Sequence, residues 1–213
     1  MYRLGCMEKR APYHHGNLGA ALVGAGMELA REGGPDAVVV REASRRVGVS
    51  HNAAYRHFPD RDGLLKAVCA ECMSELARRM ERRIAEVDRD DPSAEAARRR
   101  LGATGTAYVE FALTEPGLFR TAFAVPRGPG YLEPGEGVGD TGLGPYELLN
   151  AQLDALVAAG GLPEERRPYA DIAAWSAVHG IATLMLDGPL RALPEEDRAP
   201  AVQRLLETID RGL

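Results

Sequence analysis

Apolar residues recur along most of the chain at the spacing of three or four residues that is typical of amphipathic helices. The clearest case lies near 61–88, where an apolar stripe extends from Leu64 to Val87. The same spacing predicts other helices near 14–32, 39–47, 51–57, 93–114, 146–159, 166–187 and 195–211. Since no run alternates apolar and polar residues as a half-buried strand would, the sequence predicts an all-α fold.

Glycine, proline and capping residues mark the ends of these helices. Gly48 separates the two short helices of 39–57, while Ser50 and Asp60 stand where N-caps are expected. Residues 126–145 contain seven glycines and four prolines, so they predict a mobile loop. A tolerated surface insertion is the simpler interpretation of this loop, and a functional lid is the alternative. The penultimate helix is apolar nearly all round, which predicts burial on most sides.

The two short helices and the glycine turn between them have the layout of a helix-turn-helix. In the second of them, 51–57, Ala54 and Phe58 lie about 40° apart and should face the core. Asn52 and Arg56 then point outwards. Asparagine can bond adenine through two hydrogen bonds and arginine can bond guanine in the same way, so both side chains are candidates for reading bases.

Further candidate DNA contacts flank or bracket this outward face, and they are Arg41, Ser50, His51, Ala53, Tyr55, His57 and Arg61. Arg41, Tyr55 and Arg61 are better placed for phosphates or for the groove edge. Arg61 also lies in the first turn of a helix, where free amide groups attract anions. A solvated polar helix is the alternative explanation, but the first helix, the turn glycine and the long fourth helix stand at compatible spacing.

The distribution of charge restricts DNA contact to one end of the chain. Residues 1–66 hold ten Lys/Arg and seven Asp/Glu, a net +3, whereas residues 67–213 hold sixteen and twenty-four, a net −8; together these give −5. A basic N-terminal unit attached to an acidic remainder predicts that only the first part meets the nucleic acid.

Other classes of protein find little support in the sequence. No apolar run approaches the roughly 18 residues of a membrane span, and the first residues lack the apolar region of a signal peptide, so we expect a cytoplasmic protein. No nucleophile motif, P-loop or paired Cys/His set indicates an enzyme, a metal or a cofactor. Cys69 and Cys72 fall in the apolar stripe and are interpreted as core residues, a redox role being the alternative.

The helix-turn-helix segment resembles the TetR family of regulators. The resemblance rests on Arg41-Glu42, Gly48-Val49-Ser50, Tyr55, Phe58, Arg61, Leu64 and Leu65, which stand in the register of the family pattern. Ala43, Ser44 and Val47 depart from that pattern at positions that should pack inwards. Residues 1–12 predict a mobile tail, and the resemblance implies a DNA-binding domain over 13–60 and a helical domain over 61–213 that binds a ligand and dimerises.

The C-terminal part is similar to a subgroup of this family named for its Trp-His-Gly residues, here Trp175, His179 and Gly180. This similarity implies a small-molecule pocket, whose candidates are Tyr108, Phe111, Phe119, Phe123, Trp175, His179 and Met185. For any one of these residues, a place in the ordinary core is the alternative. It also implies a homodimer formed through the helices near 166–187 and 195–211. The apolar stripe Val202, Leu205, Leu206, Ile209 and Leu213 suits such an interface, or else an intramolecular core face.

The sequence therefore predicts a homodimeric DNA-binding transcriptional regulator. Repression of a palindromic operator, relieved by a small-molecule effector, is the mode that the resemblance favours. The first alternative is a regulator whose C-terminal domain only dimerises or binds a protein. An enzyme with an appended helix-turn-helix is the other, and the missing catalytic motifs count against it.

Overall fold

The computed structural model describes residues 18–87, 90–124 and 135–212, and in these ranges it is all-helical, as predicted. The described α-helices are α1 (Leu18–Gly33), α2 (Val40–Val47), α3 (His51–Tyr55), α4 (Arg61–Ala85), α5 (Ala94–Thr114), α6 (Pro116–Ala122), α7 (Pro145–Ala158), α8 (Ala170–Leu186) and α9 (Glu195–Gly212). The predicted tail over 1–12 and the 126–134 part of the predicted loop lie outside the described residues. Residues 135–144 form turns that precede α7.

Local signals produce the helix-turn-helix as expected. Gly48 adopts a left-handed conformation with φ 76°, which allows the sharp turn after α2. The Ser50 hydroxyl accepts a hydrogen bond from the Ala53 amide at 3.3 Å and caps α3. The Asp60 carboxylate accepts one from the Gly63 amide at 2.8 Å and caps α4. Both predicted N-caps are confirmed.

The helix α4 connects the two halves of the chain. Near its start, fully buried Leu64 and Val68 pack in the core of the DNA-binding unit, and near its end Met80 packs in the C-terminal bundle. The helix α6 also contacts the DNA-binding unit, because a Cβ atom on Gly117 would lie 2.1 Å from the Ala30 carbonyl oxygen. One continuous apolar core therefore extends from α1 into the C-terminal helices.

In the single chain, the last two helices differ from the main expectations. The helix α8 was expected to be buried on most sides, yet Ile172 is 54% exposed and Leu184 is 43% exposed in the single chain. In α9, conversely, the stripe faces the chain's own core: Val202 is buried, and a Cβ on Gly105 of α5 would lie 2.6 Å from Leu206. The exposed apolar surface thus lies on α8; Leu213 is outside the described residues.

Candidate DNA-contacting face and ligand cavity

The outward face of α3 has the geometry expected of a recognition helix. Asn52 and Arg56 are exposed, whereas Ala54 is fully buried and Phe58 packs against the core. Arg56 directly follows the last residue of α3 and keeps a helical backbone conformation. This arrangement leaves an amide and a guanidinium at the surface, the two groups that bond bases through paired hydrogen bonds.

The other predicted contacts lie around this face and differ in exposure. His51, Tyr55 and His57 are exposed on or beside α3, and Arg41 is exposed on α2. Ala53 is half-buried. The predicted candidates on α2 and α3 are thus brought together at one end of the molecule. Their contacts with DNA remain a prediction.

A buried hydroxyl fixes the first residue of α3 to α2. The Ser44 hydroxyl donates to the Arg41 carbonyl at 2.8 Å and lies 2.8 Å from Nδ1 of His51. Since a hydroxyl has one proton and the carbonyl can only accept, His51 carries its proton on Nδ1 and donates it to Ser44. Ser44, which departs from the family pattern, therefore orients a predicted contact residue.

Arg61 begins α4, as expected, and its guanidinium bonds to the backbone before α2. Its Nε donates to the Val38 carbonyl at 3.1 Å and its Nη2 to the Pro35 carbonyl at 2.7 Å, and the group lies 3.5 Å from Asp36. These bonds fasten the start of α4 to the turn after α1. These bonds use Nε and Nη2 and indicate a structural role for Arg61, while its contact with phosphate stays a prediction.

A cavity of about 540 Å³ lies in the C-terminal domain, between α4, α5, α7, α8, α9 and the turns of 135–144. Tyr108, Phe123 and Trp175 line it, as the sequence predicts. Phe111, Phe119 and Met185 are instead buried in the surrounding core. Small residues of α5, including Gly102 and Gly105, form part of the wall and keep it open.

A hydrogen-bonded chain joins three of the predicted pocket residues. The Trp175 indole donates to the Tyr108 hydroxyl at 3.3 Å, and that hydroxyl lies 2.8 Å from Nδ1 of His179. Burial lowers the pKa of His179, which favours the neutral ring near pH 7, with Nδ1 accepting the Tyr108 proton. His179 also packs against Phe123, with ring centroids 4.9 Å apart. It therefore positions Tyr108 from behind the cavity wall.

Sequence reasoning missed Glu81, which connects α4 to the cavity wall. Its carboxylate accepts hydrogen bonds from the Asp140 amide at 2.8 Å, the Thr141 amide at 3.0 Å and the Thr141 hydroxyl at 2.5 Å. Burial alone would raise the pKa of Glu81, but the bonds from Thr141 and Asp140 outweigh it and hold the pKa below its ordinary value. A side chain at position 139 would collide with this carboxylate.

The two cysteines of α4 are fully buried. The Cys69 thiol donates to the Thr121 carbonyl at 2.9 Å and Cys72 contacts Met27, so both take part in core packing. Within the ranges that the structure describes, there is no group of three or more metal-ligating side chains. None of the helices there is long and apolar enough to cross a membrane.

Sequence profiles of two domains match this chain. Residues 22–68 match the bacterial regulatory proteins of the tetR family, and residues 101–209 match the tetracyclin repressor-like C-terminal domain. A search of curated proteins gives no match.

Solved structures share the whole architecture. A protein of unknown function from Rhodococcus sp. RHA1 is 30% identical with a TM-score of 0.74, and the match covers 96% of this chain and 99% of that one. FadR from Bacillus subtilis in complex with stearoyl-CoA is 15% identical, with a TM-score of 0.61 and coverage of 91% and 98%. A TetR variant from Acinetobacter baumannii AYE in complex with minocycline is 19% identical, with a TM-score of 0.60 and coverage of 91% and 94%. The chain belongs to the TetR family of DNA-binding transcriptional regulators.

Proposed function

We propose that this protein is a homodimeric repressor that leaves a palindromic operator when a small molecule fills the C-terminal cavity. The observation that carries the proposal is a cavity of about 540 Å³ with α4 in its wall. This volume lies within the range of about 300–1,000 Å³ that is usual for ligand pockets. Two structural neighbours hold ligands, minocycline and stearoyl-CoA, which supports small-molecule control.

The exposed apolar face of α8 supports dimerisation. Ile172 and Leu184 stand on this face together with small residues that include Ala173 and Ser176, all of them exposed in the single chain. Small side chains allow a helix of a second subunit to approach closely, and the apolar residues gain by burial. A two-fold pairing there, with α9 beside it, would hold two recognition helices in a fixed relation. A symmetric pair reads half-sites separated by a helical turn or more of DNA.

The helix α4 would transmit occupancy of the cavity to the DNA-binding unit. Met73 and Met80 of α4 line the cavity, and Glu81 holds the turns of 135–144 against the same helix. A ligand that displaces either element acts on α4 and so on the separation of the two recognition helices. The mechanism requires a ligand that binds more tightly to the conformer unable to bind DNA.

In the DNA complex, we assign base recognition to Asn52 and Arg56, and backbone contacts to Arg41 and Tyr55. Each paired hydrogen bond to a base is worth about 1–3 kcal/mol of discrimination. A phosphate contact adds affinity without sequence preference. The two groups of residues should therefore respond differently to substitution.

The test begins with selection of preferred sites from random duplexes by the full-length protein, which should yield a palindrome. Arg56→Ala should then lose about 5- to 150-fold in affinity for that site and far less for scrambled DNA. Arg191→Ala, which removes the same charge from an exposed position in the C-terminal domain, is the control and should bind both DNAs normally. Equal losses of Arg56→Ala on the two DNAs would contradict the base-reading role.

The alternative is a C-terminal domain that only dimerises or binds a protein. A closed, solid core would favour it, and the open cavity argues against it. If the selected operator stays bound across a broad panel of small molecules, the alternative is preferred.

A further inference from the structure

Among the residues that the structure describes, the charged groups in the cavity wall are unbalanced in sign. They are Arg98, Glu136, Glu147 and Asp210, one cation against three anions. The Arg98 guanidinium is already engaged, since Nη1 donates to the Asp210 carboxylate at 2.5 Å and Nη2 to the Gly161 carbonyl at 2.6 Å. The positive charge of the wall is thus neutralised by an adjacent carboxylate.

This arrangement disfavours an anionic ligand. A carboxylate or phosphate that leaves water for an apolar cavity needs a cation or several donors to replace its hydration. Arg98 already neutralises Asp210, so a ligand carboxylate or phosphate there would place a second anion on the same guanidinium. We therefore expect the cavity to disfavour acidic ligands.

Aromatic rings and a carboxylate favour the opposite charge. Tyr146 and Trp175 lie with ring centroids 5.2 Å apart, and Tyr108 and Phe123 continue the same wall. Aromatic faces attract cations, most strongly where water is excluded. Glu147, exposed in the first turn of α7, adds a negative charge to this wall.

Taking the cavity as the effector site of the proposed function, we propose that its ligand class is the lipophilic cation: an amine, quaternary ammonium or phosphonium group on an aromatic or alkyl body. The body occupies the apolar space beside Leu101 and Val178, and the charge lies near the aromatic rings and Glu147. Glu147 also has a simpler role, because an acidic residue in a first turn stabilises its helix. The test must separate the two roles.

Tetraphenylphosphonium and tetraphenylborate form a matched pair of probes, since both carry four phenyl rings on a tetrahedral centre and differ in charge. Trp175 is the sole tryptophan of the sequence and lines the cavity, so its fluorescence reports binding to the full-length protein. We expect the phosphonium to bind roughly tenfold or more tightly than the borate.

Two variants test whether the probe binds in the cavity and near Glu147. A Cβ on Gly102 would meet open space, so Gly102→Leu should fill the cavity without a clash and abolish binding. Gly24→Leu is its control, as another helical glycine with open space, on α1 and away from this cavity. Glu147→Gln should weaken the phosphonium about two- to fivefold and leave the borate unchanged or tighter. Glu164→Gln removes the same charge from an exposed position outside the cavity lining and should change neither.

Each outcome decides a separate point. If the borate binds as tightly as the phosphonium or more tightly, and Gly102→Leu blocks this binding, the cation class is wrong but the cavity is still the ligand site. Binding that survives Gly102→Leu, or no binding of either probe, overturns the proposal. If Gly102→Leu blocks phosphonium binding, but the phosphonium does not release the wild-type protein from operator DNA, the ligand class is supported and ligand-controlled release is contradicted.

Discussion

Glu81→Gln should release the turns of 135–144 from α4 without unfolding the protein. The carboxylate accepts three hydrogen bonds, two of them on Oε1 from Thr141 and one on Oε2 from the Asp140 amide. The glutamine carbonyl oxygen can still accept from Thr141, but its NH₂ group faces the Asp140 N–H, and two donors cannot form a hydrogen bond. One bond is lost and two become neutral, a cost of about 2–4 kcal/mol, since bonds to charged groups are worth about 1.5–3 kcal/mol each.

Hydrogen exchange of the full-length protein, followed by mass spectrometry, measures this change. A cost of about 2–4 kcal/mol corresponds to a roughly 30- to 1,000-fold larger population of the opened segment, so amides near 140–141 should exchange correspondingly faster. Thr141→Val removes only the hydroxyl bond and should give a smaller effect at the same amides. Glu164→Gln should give none. Unchanged protection, or an equal loss throughout α5, would refute the interpretation of Glu81 as a local tether.

Acid should reproduce the effect of the substitution. Because the folded pKa of Glu81 lies below its ordinary value, the tether stabilises the folded state above the ordinary glutamate pKa. This contribution is lost progressively as the pH falls from the ordinary pKa through the lowered folded pKa. Protection of the Asp140 and Thr141 amides, corrected for intrinsic exchange, should therefore persist to a lower pH than an unperturbed glutamate would allow. Complete loss of this protection already at the ordinary pKa would contradict this account.

Three further substitutions test the contacts that join the elements. Arg61→Ala should lower the free energy of unfolding in urea by about 1–3 kcal/mol, because two carbonyl oxygens lose their donors; normal stability with weaker binding to all DNA would restore the phosphate role. Ser44→Ala should cost about 1–3 kcal/mol and leave the His51 N–H without its buried acceptor, so a change under about 0.5 kcal/mol would count against that bond. Gly117→Ala should destabilise by about 1–3 kcal/mol or more, because its Cβ meets the Ala30 carbonyl; a normal melting temperature would show that α6 moves freely against α1.

The DNA-binding half was predictable because its signals are local. Gly48, Ser50 and Asp60 act on amides or turns within three residues of themselves, and Ala54 and Phe58 fix the inward face of α3 through helical periodicity alone. Such features can be predicted from a single sequence because they depend on neighbouring residues and not on distant ones. The outward position of Asn52 and Arg56 follows from the same periodicity.

The features that escaped prediction join residues far apart in the chain. Glu81 and Thr141 are 60 positions apart, and Arg61 and Pro35 are 26 apart. Neither separation follows a helical or turn periodicity that would predict the contact. The stripe of α9 was ambiguous for another reason. An apolar stripe has the same appearance whether it packs on its own chain or on a partner. The burial of Val202 and the position of Leu206 against α5 show that part of this stripe packs on its own chain.

The contacts of α1 limit where a ligand-driven motion can occur. A Cβ on Gly26 would lie 2.4 Å from Val68 of α4, and Gly117 of α6 approaches the Ala30 carbonyl at the other end of α1. Closely packed helices transmit a displacement more readily than they absorb one. The DNA-binding unit should therefore move as one body with the first half of α4 and with α6. Under the proposed ligand control, a change in the cavity would rotate this body relative to the partner subunit, with the bend expected in α4 between Val68 and Glu81 and in the turns that Glu81 holds.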